Sequence, residues 1–242
     1  MATSSETLTG SVWAGVEEKR FRVPQAGESP PVDMPLSHEE MAVWSFLVRR
    51  GITNAIWGLS RMVGEAIDIV SLDIERMSMP EAFADEGGGL NGPGVGVYLT
   101  VQGDIGGHLL LLHDVGMAYQ MVDLQLGLPA GSTAVLGELG RSALGELGNV
   151  AAARFLSTLA DAAGITLEPS PPSVIVDMAG TATNLPMGLV RQEQDDALRA
   201  KTTFRTGTRE IDGTFVILPT MDFVRTVLMH AGVPVPCSPA AA

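Results

Sequence analysis

The apolar positions of this chain first become periodic at Ser37-His38-Glu39-Glu40. A serine with glutamate three residues later is a capping box, and it opens a helical pattern through Met41-Ala42-Val43-Trp44. The pattern runs to Val63, with Gly64 as its C-terminal stop. Two strand-like runs follow, Val95–Val101 and His108–Leu112, with Gln102-Gly103-Asp104 turning between them. His113-Asp114 then starts a shorter helix that ends at Gly127. The second half repeats the order. Ser132 caps a long helix through Ala163, stopped by Gly164, and strands are expected at Val174–Val176, Lys201–Arg205 and Thr214–Leu218. Asp212-Gly213 reads as the hairpin turn before the last of these. A final helix from about Met221 ends at Gly232.

Residues before this pattern are rich in Ser, Glu, Gly and Pro and read as a flexible extension, 1–36, in which Ser11–Gly15 and Phe21–Val23 are short runs able to dock. The tail, 233–242, is Pro/Ala-rich. Between them, 37–232 divides into a first repeat of about 37–128 and a second of about 132–232. Gly107–Leu112 answers Gly213–Leu218, each followed by a helix, which supports a duplication. Either half alone is small for a stable core. The expectation is therefore an α/β (α+β) fold in which two pseudo-symmetric helix-and-sheet repeats share one largely antiparallel sheet.

Composition narrows the function classes. Apolar residues make up 45% of the 242 but aromatics only 5%, so the core must be aliphatic. The net charge of −13 argues against nucleic acid and anionic membrane as partners, since both are polyanions. The single cysteine, Cys237, has no second thiol for a disulfide or a zinc site. With neither a signal-peptide pattern at Met1–Gly10 nor an apolar run long enough for a bilayer, the expected location is cytoplasmic.

Within the second long helix, Leu144, Leu147, Ala151, Phe155, Thr158 and Ala162 fall on one stripe at helical spacing. Ser142, Glu146, Asn149, Ala153 and Ser157 centre on the opposite side, so Glu146 and Asn149 are neighbours on an exposed face. Gly140, Gly145 and Gly148 each cost about 1 kcal/mol against alanine in a helix interior, which asks for a packing reason or close access by a macromolecule. Other groups are less suggestive. His108 and His113 lie on opposite faces of a strand, Gly87–Gly89 and Gly92-Pro93-Gly94 do not join a strand to a helix as a phosphate loop must, and Ser157 and Cys237 lack a neighbouring base.

Ser142, Glu146 and Asn149 with Pro172 spell Ser/Asp-x3-Glu-x2-Asn-x22-Pro. This string resembles the active-site signature of the CheC/CheX/FliY family, the phosphatases of the chemotaxis response regulator CheY. The resemblance spans roughly residues 38–232, because family members are also tandem repeats. It implies that Glu146 and Asn149 are catalytic and that Ser142 and Pro172 shape the helix face and the adjoining loop. It implies a phosphorylated CheY-like response regulator as partner, the deamidase CheD as a further candidate, and no cofactor on this chain, the Mg²⁺ being supplied by the partner. Asn149 would orient the attacking water, since an amide offers donor and acceptor together, and Glu146 would pair with the partner's lysine. The first half keeps no complete signature. Registered on Asn54, a shift of 95 residues, it places Gly51 at Glu146, Leu47 at Ser142 and Met77 at Pro172; registered on the stop glycines, a shift of 100, it places Phe46 at Glu146 and Arg49 at Asn149. The first of these registers is the better match, and it makes Asn54 a leftover amide. The alternative function is a non-catalytic adaptor of the same fold, comparable to FliM, that binds CheY-phosphate without hydrolysing it.

Overall fold

The computed structural model describes residues 36–78, 94–177, 196–207, 209–219 and 221–232. The elements, in chain order, are α1 (His38–Val63), β1 (Ile67–Ser78), β2 (Gly94–Gly103), β3 (Gly107–Asp114) and α2 (Val115–Gln125), then α3 (Glu138–Ala163), β4 (Leu167–Pro169), β5 (Ser173–Asp177), β6 (Asp196–Thr206), β7 (Arg209–Leu218) and α4 (Met221–His230). The Ser11–Gly15 and Phe21–Val23 runs, the Gly87–Pro93 glycines and Cys237 fall outside the described residues.

The sheet runs β1-β6-β7-β3-β2-β4, with β5 also paired to β2, and every pairing is antiparallel. The two halves therefore share one antiparallel sheet, as expected, and exchange their outer strands within it: β1 lies beyond β6 and β7, and β4 with β5 lies beyond β3 and β2. Its midpoint is the β3–β7 seam, where Leu110 faces Val216 and the register runs symmetrically to His108–Leu218 and Leu112–Thr214. One hydrophobic core joins the halves: Trp44 of α1, Val97 and Leu99 of β2, Phe155 of α3 and Leu228 of α4 belong to it. The Trp44 ring meets Phe223 of α4 edge-on at 6.2 Å.

The start of α1 is the expected capping box: Ser37 N donates to Glu40 Oε2 (2.7 Å) and Glu40 N to Ser37 Oγ (3.2 Å). Gly64 ends it at φ +75°, in the left-handed region that glycine adopts without a Cβ penalty. The start of α3 differs from expectation. The helix begins at Glu138 behind Gly137, which supplies no side-chain cap. Ser132 instead belongs to a loop gathered by Asp123, whose carboxylate accepts from Gly131 N, Ser132 N, Thr133 N and Thr133 Oγ1 at 2.6–3.0 Å. Asp123 is fully buried. Burial pushes its carboxyl up, but the Thr133 hydroxyl and three backbone donors outweigh burial and hold it below the usual carboxylate range.

A depressed folded value means this carboxylate stabilises the fold fully above the unfolded value of about 3.9. The contribution is lost as pH falls through the folded value. Asp123→Asn turns an amide N–H₂ toward backbone donors and is expected to cost about 1–3 kcal/mol at pH 7. Urea midpoints of the two proteins should converge in acid. A gap independent of pH would show that the carboxylate's charge is not what holds the loop.

Three further differences have local causes. β1 was not apparent in the pattern, and neither was β4. Asp212-Gly213 sits inside β7, paired with Thr203 and Thr202, and the reversal falls next to Gly207 at φ +54° because β6 and β7 pair out to Thr206–Arg209. The β5 and β6 strands run longer than the Val174–Val176 and Lys201–Arg205 cores expected of them.

Candidate functional site

The α3 helix is seated by its small residues. A Cβ on Gly148 would lie 2.5 Å from Val97 Cγ1 of β2, and one on Gly145 would touch Pro172 Cγ (3.5 Å) and Val174 Cγ2 (3.6 Å). Gly140 packs on Leu136 and Val122. The three glycines thus have a packing reason: Gly145 and Gly148 bring the helix down onto the sheet and Gly140 brings its start against α2 and the preceding loop, rather than opening its outer face to a macromolecule. The apolar stripe Leu144, Leu147, Ala151, Phe155 and Thr158 is buried as well, so the helix is closed on two sides.

What remains open is the polar face. Ser142 and Glu146 are exposed and Asn149 is half-buried. Among the described residues none of their three side chains makes a hydrogen bond or ion pair, so their full capacity is turned outward. Pro172 stands beside this face through Gly145. It is fixed from the other side by the short break between β4 and β5. There Ser170 N donates to Thr100 O (2.8 Å) and Thr100 N to Ser170 Oγ (3.0 Å). The fold therefore brings Ser142, Glu146, Asn149 and Pro172 to one locality: three on one helix face, the fourth on the sheet edge against its flank.

The first half has no such face, and three observations fix how it corresponds. Asn54 Nδ2 of α1 donates to Arg154 O (3.1 Å) and to Thr158 Oγ1 (3.1 Å) of α3. A shift of 100 carries Asn54 onto Arg154 and Gly58 onto Thr158, and Gly58 in turn lies against Arg154. The helices thus cross on their own symmetry-related residues. The strands agree: the β1–β6 register slips between Ile69 and Ser71, and β4 and β5 pair with β2 in registers that slip across Ser170. The shift is 100, and the register built on Asn54 is overturned. Asn54 belongs to the helix crossing, and Gly51 does not replace a glutamate; its missing Cβ would stand 2.6 Å from the Phe155 ring. Opposite Glu146 stands Phe46, 55% exposed, and opposite Asn149 stands Arg49, whose Nη1 donates to the carbonyl of Leu72 (3.3 Å), the counterpart of Pro172.

Asn54→Ala is accordingly a stability variant. Losing two hydrogen bonds across the crossing should cost about 1–2 kcal/mol and lower the melting temperature, with any phosphatase turnover unchanged. A turnover loss at full folding would reinstate Asn54 as part of a site.

The two strand histidines behave as structure. His108 Nδ1 lies 2.7 Å from Tyr98 Oη with the rings stacked, burial pushes the Tyr98 phenol up, and His113 is buried. Among the described residues no group of three or more His, Cys, Asp or Glu could hold a metal ion. Nor is any helix there long and apolar enough to cross a membrane.

The CheC-like family matches residues 133–176, a segment that contains all four signature residues. The CheY-P phosphatase CheC of Bacillus subtilis (strain 168) is 25% identical over 201 residues, covering 81% of this chain and 96% of that protein. The chain is thus similar to the CheC-like family over the segment that carries the signature, and to CheC over most of its length. Thermotoga maritima FliY shares the fold at a TM-score of 0.67 and 22% identity, over 82% of this chain and 98% of that one. The FliM middle domain from H. pylori shares it at a TM-score of 0.54 and 10% identity, over 80% and 99% of the two chains. Within this CheC-like chain the matched segment runs from the Asp123-bound loop, through the glycine-seated helix, to the β5 strand beside it.

Proposed function

We propose that the chain accelerates hydrolysis of the phosphoaspartate of a CheY-like response regulator, using Glu146 and Asn149. The observation that carries this reading is the unspent polar pair on the open face of a helix closed by packing on two sides, in a chain similar to a CheY-P phosphatase. A phosphoaspartate is an acyl phosphate and already reactive, so the protein need only hold a water in line with the phosphorus. The Asn149 amide oxygen accepts a hydrogen bond from that water while its N–H₂ donates toward the phosphoryl oxygens, a role comparable to the water-orienting glutamine of GTPases. Glu146, one helical turn before it and more exposed, pairs with the lysine of the partner's site and sets the depth of insertion. Ser142 and Pro172 shape the approach. The Mg²⁺ that neutralises the phosphoryl group comes with the partner, and CheD is a further candidate partner in the same pathway.

The rigidity of the seat favours this chemistry. A helix locked to Val97 through Gly148 presents the amide in a fixed position, and preorganised polar groups are worth most when they need no rearrangement. The test is phosphate release from phosphorylated response regulators of the same organism, with and without this chain. Wild-type protein that gives no acceleration with any of them removes the proposal. A second reading, a FliM-like adaptor that binds the phosphorylated regulator without hydrolysing it, draws support from the fold shared with FliM and from the first half, where Phe46 and Arg49 occupy the positions of Glu146 and Asn149. It expects binding without acceleration.

A further inference from the structure

The outward face of α1 carries a surface unlike the rest of the chain. Ala42, Phe46, Arg49, Arg50, Thr53, Trp57 and Arg61 recur at helical spacing and are all exposed. The chain has a net charge of −13, yet from Met41 to Gly64 it contains no Asp or Glu and three arginines. Phe46 and Trp57 are 55% and 52% exposed, and no other aromatic in the described residues is among the large exposed hydrophobics. A fourth arginine arrives from α3. The guanidinium of Arg154 lies 5.9 Å from the Trp57 ring centre, and that of Arg61 lies 5.0 Å from it. Gly58 makes room for this, because a Cβ there would stand 2.7 Å from Arg154 Cγ. One indole thus holds two like charges. Among the described residues no carboxylate forms an ion pair with Arg50, Arg61 or Arg154.

We propose that this face is a docking site for an acidic peptide segment of a partner protein, carrying a large apolar side chain that packs on Trp57. Two guanidiniums on one ring repel each other and are relieved by an anion between them. The exposed indole supplies apolar area that a peptide side chain can cover. From Phe46 to Arg61 the helix rises about 22 Å at ~1.5 Å per residue, the reach of a short extended peptide. The charge of the whole chain decides against larger polyanions. A duplex or an anionic bilayer would extend beyond the patch over a chain whose net charge is −13, whereas a narrow acidic segment meets only the arginines. The site lies where the second half presents Glu146 and Asn149. The inference is independent of the phosphatase reading, since it concerns the other half and is read by binding alone.

The experiment uses the full chain and a short fluorescein-labelled peptide, rich in aspartate and glutamate, with a central phenylalanine and leucine. Fluorescence anisotropy should show binding that weakens with salt and fails when the acids are replaced by their amides. Trp57→Ala, and separately Arg50→Glu with Arg61→Glu, should each weaken it by about tenfold or more, equivalent to about 1.4 kcal/mol. These positions are exposed, so circular dichroism should be unchanged and the loss attributable to the surface. Binding insensitive to those variants, or absent at ~1 mM peptide, overturns the proposal. So does tighter binding to single-stranded DNA or to phosphatidylserine vesicles than to the peptide. Dimerisation abolished by Trp57→Ala would assign the face to a second copy. A Trp57 already shielded from acrylamide in the free chain would assign it to the chain's own residues.

Discussion

Replacing Asn149 by alanine is expected to abolish the acceleration of phosphoaspartate hydrolysis while leaving the chain folded and able to bind its partner. Alanine is the better helix former, and among the described residues the Asn149 side chain contributes no hydrogen bond that the fold would miss. The lost group is a preorganised polar contact at the reacting centre, and removing such a contact costs on the order of 10²–10³ in rate. Glu146→Ala should behave differently. Its defect lies in docking, so it should raise the regulator concentration needed for half-maximal rate and fade at saturation. Single-turnover phosphate release, measured beside binding of the beryllofluoride-activated regulator, separates the two. If both variants lower the saturated rate equally, the division of labour between Glu146 and Asn149 is wrong. If Asn149→Ala matches wild type, the phosphatase reading fails and the adaptor stands.

The second large effect concerns the first half. Gly51→Glu would restore a Glu-x2-Asn pair ending at Asn54 and, under the register that matches Asn54 with Asn149, would build a second site. The structure leads to the opposite expectation. A Cβ at Gly51 would overlap the Phe155 ring, 2.6 Å from Cδ2 and 2.9 Å from Cε2, and Phe155 is fully buried with nowhere to turn. Overpacking costs about 1–3 kcal/mol, and an unpaired carboxylate held in a core costs several more. Together these approach the whole stability of a typical domain, about 5–15 kcal/mol. The variant should be largely unfolded or melt far below wild type. A folded Gly51→Glu protein with doubled turnover would mean that the helix crossing has been misassigned.

That misregistration shows where the sequence stops being legible. Asn54 and its neighbours resemble a first site locally, and only the cross-helix bonds to Arg154 and Thr158 reveal its structural purpose. Ile67–Ser78 is hidden in the sequence for a related reason. Ile67 and Ile69 alternate, but the slip at Val70 restarts the alternation on Leu72 and Ile74, so no single period of two runs through the strand. Ser132 has the residue type of a helix cap, yet the buried Asp123 claims its backbone from nine residues away. Features encoded within one turn or one strand were readable: the Ser37–Glu40 box, the stop glycines, and the stripe that separates Leu144 and Leu147 from Glu146 and Asn149. Bulges and carboxylate-gathered loops depend on partners that a linear pattern does not display.

The β3–β7 seam has a consequence for how such a chain can arise. Leu110 and Val216 occupy matching places in the two halves and face each other across it. Each half pairs its innermost strand with its own counterpart and also lends its leading strands to the far edge of the other half, β1 to β6 and β4 with β5 to β2. A polypeptide comprising only one half would leave those strands and the seam strand without partners, and a second identical molecule, turned through half a revolution, would be the natural cover. The single chain is then the tethered form of a symmetric homodimer. The tether frees its two protomers to diverge, so that one can keep a glutamate and an asparagine while the other acquires a phenylalanine and an arginine in the same places.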